Sequence, residues 1–149
     1  MKITIGSDHG GFSLKQALIP FLQKRGVEVA DMGASSEESV DYPDFGEKVA
    51  KSVTCGEADA GIVLCGTGIG ISIAANKIPG IRAALVTSPE MARLAKEHNN
   101  ANILALGGRI LNTATAMACV EAWLDASFEG DRHQRRLDKI TALEKTSCQ

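Results

Sequence analysis

The feature that most constrains the fold is a regular alternation between short apolar runs and longer stretches with helical spacing. Apolar runs typical of strands lie at residues 2–7, 27–32, 60–64, 83–86 and 103–106. The stretches that follow them predict helices at about 12–25, 42–55, 70–77, 88–99 and 112–124. Strands that alternate with helices form a parallel sheet covered on both faces. The sequence therefore predicts a three-layer, Rossmann-like α/β domain with a parallel sheet of about five strands.

Several residues mark where the predicted helices begin, bend or end. Ser88 is followed by Pro89, a pairing typical of a helix N-cap and its first turn, and Asn112 is expected to cap the next helix. Pro20 should kink the first helix or mark a turn that lacks its hydrogen bond. A last, basic amphipathic helix is predicted from about residue 132 to 145.

Size and composition exclude several classes of protein. The 149 residues suit one domain with its own core, and we expect residues 1–149 to form it. A net charge of −2 gives no electrostatic basis for binding nucleic acid or an anionic membrane. No apolar run is long enough to span a membrane, and the start runs directly into a strand pattern, so we expect no signal peptide. The four cysteines are scattered without pairing motifs, which favours reduced thiols in the cytoplasm.

Polar residues directly follow three of the predicted strands. Asp8-His9 follows the first strand, Cys65-Gly66-Thr67 the third and Gly107-Gly108-Arg109 the fifth. The carboxyl ends of parallel strands share one edge of the sheet, where ligands bind in open α/β folds. The sequence therefore predicts a ligand site at this edge.

The turn after the third strand carries glycines at alternate positions, Gly66, Gly68 and Gly70. It lacks the Gly-x-Gly-x-x-Gly spacing of dinucleotide sites and the Gly-Lys-Ser/Thr of a P-loop. Two interpretations remain open from these residues: a tight connection between strand and helix, or a nest of backbone N–H groups that binds an anion.

Cys65 stands at the start of this turn. It could be a small buried apolar residue, or a thiol whose thiolate form is favoured by the N-terminus of the following helix. A cysteine before such a loop also suggests a tyrosine phosphatase, but that chemistry needs an arginine six residues later, where this chain has Ile71. The phosphatase interpretation therefore fails.

Basic residues and histidines suggest an anionic ligand. Asp8 could simply cap the first helix, and His98 could lie at the C-terminus of the fourth because the helix dipole favours it there. Arg132 and Arg136 lie four residues apart and repel each other unless an anion sits between them; with Arg109 they would suit a phosphate.

Metal binding is not expected, because no two histidine, cysteine or carboxylate side chains have helical or hairpin ligand spacing. A phosphorylated ligand, a thiolate, a histidine and a backbone anion nest together suit proton abstraction next to a carbonyl without a metal. The residues alone indicate enolisation of a sugar phosphate or a similar compound.

Five segments carry a more specific signal, in the same order along the whole chain. They are GSDHGG at residues 6–11, DYPD at 41–44, CGTGIGISIAANK at 65–77, EHN at 97–99 and GDRHQRR at 130–136. In these segments the chain resembles the B-type ribose-5-phosphate isomerases, a family that also includes allose-6-phosphate and galactose-6-phosphate isomerases. One branch of the family has a glutamate in place of Ile71; this chain resembles the branch with the cysteine.

The resemblance implies a catalytic role for three side chains. Cys65 matches the base that moves a proton between C2 and C1 of the open-chain sugar, and Thr67 assists proton transfer at the sugar oxygens. His98 matches the residue that opens the furanose ring. The resemblance also implies substrate contacts: the enediolate would be held by the loop Gly66, Thr67, Gly68, Ile69 and Gly70, the sugar by Asp8, Tyr42 and Asn99, and the phosphate by His9, Arg109, Arg132 and Arg136.

The resemblance further implies the partners of the chain. Members of the family need no cofactor and no metal, and form homodimers or dimer-based tetramers. His98, Asn99, Arg132 and Arg136 would then reach into the site of the neighbouring subunit. The expected function is the interconversion of ribose 5-phosphate and ribulose 5-phosphate; a six-carbon sugar phosphate as substrate, or a non-catalytic sugar-phosphate sensor, are the alternatives.

Overall fold

The computed structural model describes residues 1–146, and Cys148 lies outside them. The described chain alternates strands and helices as the sequence predicts. Its elements, in chain order, are β1 (Lys2–Ser7), α1 (Phe12–Lys24), β2 (Glu28–Asp31), α2 (Tyr42–Thr54), β3 (Ala60–Cys65), α3 (Ile69–Asn76), β4 (Ala83–Leu85), α4 (Pro89–Asn99), β5 (Ile103–Gly107), α5 (Thr113–Asp125) and α6 (Arg132–Leu143). None of these helices is both long enough and apolar enough to cross a membrane.

The five strands form one parallel sheet in the order β2-β1-β3-β5-β4. The chain moves outward from β1 to β2 and then crosses back to β3, so β1 and β3 are adjacent strands whose connections lead away in opposite directions. Their register pairs Ser7 with Leu64, and Cys65 pairs with Gly107 of β5. Three strand ends therefore lie side by side at the switch in strand order, where open α/β sheets bind ligands.

Alternate residues of the central strands serve two separate cores. Ile62 and Leu64 of β3 belong to the core that is completed by α1, α4 and α5. Val63 and Cys65 belong to the core on the other face, with residues of α2 and α3. Because side chains alternate across a strand and both faces are covered, β3 is buried over its whole length. The predicted α/β class, with helices on both faces and a C-terminal helix, is confirmed.

The predicted helix caps are formed. The Ser88 hydroxyl accepts a hydrogen bond from the amide of Met91 at 3.2 Å, and the Asn112 side chain accepts one from the amide of Thr115 at 2.8 Å. Pro20 lies inside α1, which continues to Lys24. The proline therefore does not end the helix.

The outer edge of β4 is covered by a side chain. The Asn76 carboxamide accepts a hydrogen bond from the Ala83 amide at 2.8 Å and donates one to the Ala83 carbonyl at 2.9 Å. Both backbone groups that Ala83 directs away from β5 are thereby satisfied. Asn76, at the end of α3, takes the place of a neighbouring strand at this position.

Candidate active site

Three loops meet at the carboxyl edge of the sheet. They follow β1, β3 and β5, and backbone hydrogen bonds connect them: the Asp8 amide donates to the Leu64 carbonyl at 3.2 Å, and the Gly108 amide donates to the Cys65 carbonyl at 2.8 Å. The Arg109 amide donates to the next carbonyl, that of Gly66, at 2.9 Å. The predicted convergence of the three polar segments is present.

The loops approach more closely than side chains would allow. A Cβ on Gly108 would lie 2.4 Å from the carbonyl oxygen of Gly10, and a Cβ on Gly10 would lie 2.9 Å from the amide nitrogen of Gly66. Both distances are shorter than any van der Waals contact. Glycine at these positions is what lets the loop after β1 lie against the loops after β3 and β5.

Cys65 ends β3 with its side chain inside the protein. It is 4% exposed, and its Sγ accepts a hydrogen bond of 3.1 Å from the backbone amide of Gly68. Gly68 has a φ of +78°, the left-handed conformation that glycine adopts without strain, and it is the N-cap of α3. This turn directs a backbone N–H group at the sulfur and sets it beside the helix N-terminus, an arrangement that stabilises negative charge.

Thr67 belongs to the same turn, and Tyr42 packs against it. The Thr67 hydroxyl accepts a hydrogen bond of 3.2 Å from the amide of Ile69. The Tyr42 ring, at the start of α2, packs on Gly70 so closely that a Cβ there would lie 2.5–2.8 Å from its ring and hydroxyl atoms. The phenol is therefore at the rim of the turn and 40% of the residue is exposed.

Asp8 and His9 follow β1. Asp8 is 6% exposed and its Oδ1 accepts a hydrogen bond from the Gly11 amide at 3.1 Å. Gly11 is itself the N-cap of α1, which has no side-chain cap, so Asp8 fixes the turn before the helix and does not cap it. The Nδ1 of His9 accepts a hydrogen bond from the Val40 amide at 3.2 Å. Since Nδ1 is the acceptor, the proton of the neutral ring lies on Nε2, which can donate to an anion.

Arg109 completes this group of residues. Its side chain is exposed, and its Nη1 would be 3.1 Å from a Cβ on Gly66, so the guanidinium lies over the glycine turn. The structure thus brings together, at one edge of one chain, Cys65, Thr67, Asp8, His9, Tyr42, Arg109 and the loop Gly66, Gly68, Ile69 and Gly70.

His98 and Asn99 lie elsewhere, at the end of α4. The Asn99 carbonyl accepts a hydrogen bond from the Nε of Arg82, the residue directly before β4. Three residues later, the Asn102 carbonyl accepts one from the amide of Gly61, near the start of β3. These contacts place the end of α4 at the amino edge of the sheet. Cys65 ends the six-residue β3 at the opposite edge, about 16 Å away along the strand.

The first turns of α6 lie beside His98. The imidazole rings of His98 and His133 stack with centroids 4.3 Å apart and an interplanar angle of 11°. Arg132 and Arg136 flank His133 on α6 and are exposed. Within residues 1–146, neither of these arginines nor Arg109 forms an ion pair, so three guanidinium groups are available to an anion.

Two further residues, His133 and Glu129, lie at this position although the sequence predicts no role for them. The Oε2 of Glu129 lies 3.3 Å from the Nε2 of His133 and 3.9 Å from the Nε2 of His98. Burial lowers the pKa of His133 below its usual 6.5, and the positive charge of Arg132 and the neighbouring His98 lower it further, against the opposing effect of Glu129.

The expectation that no two ligand-type side chains have helical spacing is wrong for Glu129 and His133, which are four residues apart. This four-residue spacing is the feature of the sequence that could have indicated the pair. His98 could not be added to the pair from sequence, because it comes from a different helix.

A cavity of about 630 Å³ lies away from Cys65. It lies between α3, β4 and α6 and is lined by Asn99 among the predicted site residues. Around Cys65 the site is a surface rim, with Ile69 51% exposed and Ile110 59% exposed. The residues for the chemistry and this cavity therefore do not coincide within one chain.

Comparison with known proteins assigns the family. Residues 3–140 match the family described as ribose/galactose isomerase. The chain belongs to this family. The resemblance of its five sequence segments is thereby confirmed. The family match covers nearly the whole chain.

Individual relatives support this family assignment. Ribose-5-phosphate isomerase B of Escherichia coli strain K12 is 50% identical over 144 residues, which cover 97% of each protein. The structure of ribose-5-phosphate isomerase B from Clostridium thermocellum matches with a TM-score of 0.97 and 60% identity, over 97% of this chain and 98% of the other. The Mycoplasma genitalium enzyme, solved with bound ribulose 5-phosphate, matches with a TM-score of 0.93 and 43% identity, over 98% and 97%.

Proposed function

We propose that this protein is an aldose–ketose isomerase that interconverts ribose 5-phosphate and ribulose 5-phosphate. The observation that carries the proposal is the buried Sγ of Cys65, held by the Gly68 amide at the head of α3. A thiol placed in this way is suited to act as a base next to an anion site. The named relatives and the ribulose 5-phosphate bound to one of them support this choice of substrate.

In the proposed reaction, the Cys65 thiolate removes the proton from C2 of open-chain ribose 5-phosphate. The electron pair of that bond moves to form an enediolate, whose oxygen is held by backbone N–H groups of residues 66–70. Thr67 moves the proton between the O1 and O2 oxygens. The Cys65 thiol then returns its proton to C1, which gives ribulose 5-phosphate and restores the thiolate.

In this proposal His98 has a further catalytic role, and the remaining predicted residues bind the substrate. His98 opens the furanose ring, and Asn99 beside it contacts the sugar. The buried carboxylate of Asp8 accepts hydrogen bonds from sugar hydroxyls, and the phenol of Tyr42 donates a hydrogen bond to another sugar oxygen. The phosphate is held by His9, whose Nε2 carries the proton, together with Arg109, Arg132 and Arg136.

The division of these residues between two edges of the sheet supports a homodimer, or a tetramer built from dimers. His98 and Cys65 lie at opposite ends of β3 in one chain, so they can act on one sugar only if they come from two chains. In a two-fold dimer the carboxyl edge of each chain would face the amino edge of the other, which forms two equivalent sites. Ile69, Ile73 and Ile110 are each more than half exposed near the glycine turn and would be covered there.

The direct test is turnover of ribose 5-phosphate by protein that has been treated with EDTA. Formation of the ketose is expected at an undiminished rate. No turnover, or turnover that chelation abolishes, would overturn the proposal. Comparing kcat/KM for ribose 5-phosphate and allose 6-phosphate then decides between a five-carbon and a six-carbon substrate. Binding without turnover would instead favour a sugar-phosphate sensor.

A cytoplasmic location and a role in the pentose phosphate pathway follow from the same proposal. Cys55, Cys65 and Cys119 are all free thiols in the structure, as is usual in a reducing compartment. Fractionation of cells that express the protein, followed by assay of each fraction, would test the location.

A further inference from the structure

Three potential metal ligands from three parts of the chain converge outside the glycine turn. They are the Nε2 of His98 at the end of α4, an Oε of Glu129 in the connection before α6, and the Nε2 of His133 in α6. The three atoms all lie within 4.8 Å of one another. The connection is fixed to α4 by a hydrogen bond of 3.0 Å from the Glu129 amide to the Glu97 carbonyl, so the two elements are held together by backbone as well as side chains.

The Nε2 of His133 is the second observation that points to a ligand. His133 is 4% exposed, and its Nε2 is buried without a hydrogen-bond partner, although the Glu129 carboxylate lies 3.3 Å away. A buried polar atom of this kind carries a desolvation cost that a ligand would relieve. The atom faces the other two potential ligands.

We propose that His98, Glu129 and His133 form a binding site for a divalent transition-metal ion of the zinc type, and that its occupation inhibits the enzyme. The inhibitory part rests on the proposed function, because a metal on the Nε2 of His98 would take the electron pair that ring opening requires. Metal binding itself does not depend on that function.

The donor set and spacing suit such an ion. Two imidazoles and one carboxylate, with a fourth position left to water, are a common zinc arrangement. Ligand atoms about 2.0–2.1 Å from a tetrahedral zinc lie about 3.3 Å from one another. The His133–Glu129 distance of 3.3 Å already fits, whereas His98 must tilt out of the stack to close its 3.9 Å distance to Glu129. The His98 side chain is 37% exposed and has the room to do so.

The charges nearby limit the affinity. Arg132 and Arg136 place positive charge beside the three ligands, and the single carboxylate of Glu129 offsets only part of it. The site is therefore expected to bind zinc reversibly and to release it to EDTA.

Calorimetric titration of the reduced, full-length protein with ZnCl₂ tests the binding. One equivalent per chain is expected, with affinity at least about tenfold weaker in Glu129→Gln and in His133→Asn. Glu129 is exposed, so its variant is expected to fold even if the His133 variant does not. Glu57→Gln, which removes an exposed carboxylate elsewhere, and Cys55→Ser, which removes an exposed thiol, are the matched controls and should bind as the wild type does.

Unchanged affinity in Glu129→Gln would overturn the site, as would a Co²⁺ complex whose spectrum shows thiolate ligands. The second measurement is turnover of ribose 5-phosphate with added ZnCl₂. Inhibition that EDTA reverses, and that needs at least about tenfold more zinc in Glu129→Gln, is expected. Zinc that binds as described without inhibiting an active enzyme overturns the inhibitory part alone. Absence of turnover at every zinc concentration would instead count against the proposed function.

Discussion

The backbone amide of Gly68 points at the Sγ of Cys65 across 3.1 Å, inside a turn that also begins α3. If Cys65 is the base, replacement by alanine should reduce kcat at least about 100-fold, since a positioned base contributes about that much or more. Steady-state kinetics on ribose 5-phosphate measures this. Cys55→Ser, at an exposed thiol that follows the end of α2, is the control and should leave kcat unchanged. Full activity in Cys65→Ala would mean that another group removes the proton.

The contact between Gly108 and Gly10 gives a steric prediction. Gly108→Ala places a Cβ 2.4 Å from a backbone oxygen, so the loops after β1 and β5 must separate and kcat/KM should fall at least about tenfold. Gly56→Ala is the comparison: it meets no atom within 4 Å but has a φ of +75°, so it should lower stability by about 1 kcal/mol and leave kcat/KM alone. Equal kinetic effects of the two variants would contradict a specific role for the loop contact.

Shared sites can be detected by mixing two inactive variants. Chains with Cys65→Ala supply an intact His98, and chains with His98→Asn supply an intact Cys65. After subunit exchange, half of the dimers are hybrids with one intact site, so about a quarter of the wild-type activity should return. Mass spectrometry of the mixture verifies the exchange. No recovery despite verified hybrids would place both residues in the site of a single chain.

The lowered pKa of His133 predicts how stability depends on pH. Above the usual pKa of 6.5 the residue is neutral in both the folded and the unfolded chain, so its titration does not change the free energy of unfolding. As pH falls below 6.5 the unfolded chain binds the proton first, so the free energy of unfolding decreases. Urea unfolding at pH 7.5 and pH 5 should show a smaller loss in His133→Phe, which keeps an aromatic ring for stacking but cannot titrate. Identical losses in both proteins would show that His133 does not contribute.

A buried lysine makes one carboxylate important for stability. The Lys15 side chain has no exposed surface, and its Nζ lies 2.6 Å and 2.7 Å from the two carboxylate oxygens of Asp31. Asp31→Asn leaves that ammonium group buried without a counter-charge and should cost about 3 kcal/mol of unfolding free energy. Glu47→Gln, which breaks an exposed pair with Lys51, should leave the unfolding free energy nearly unchanged. Comparable losses would show that water reaches Lys15.

The order of strands and helices could be read from the sequence because each apolar run is short and bounded by glycine or a cap. Cys65 could be singled out because it ends a buried strand directly before three glycines. The amino-edge position of His98 also follows from the predicted parallel sheet, because a helix that connects two parallel strands ends where the next strand begins. The side chains that meet His98 there do not follow from the sequence. The stack of His98 on His133 depends on the packing of α6 against α4, which no local pattern reports.

The Asn76 carboxamide on Ala83 has a consequence for how copies of this protein can associate. A three-residue outer strand would ordinarily be the place where a second sheet attaches, backbone to backbone. With its outward amide and carbonyl at Ala83 already occupied, β4 offers an incoming strand no complete ladder of partners. Pairing of β4 between two molecules, which could extend the sheet into a fibril, is therefore disfavoured. Copies of the protein are expected to associate through side-chain contacts instead, which can be specific and reversible.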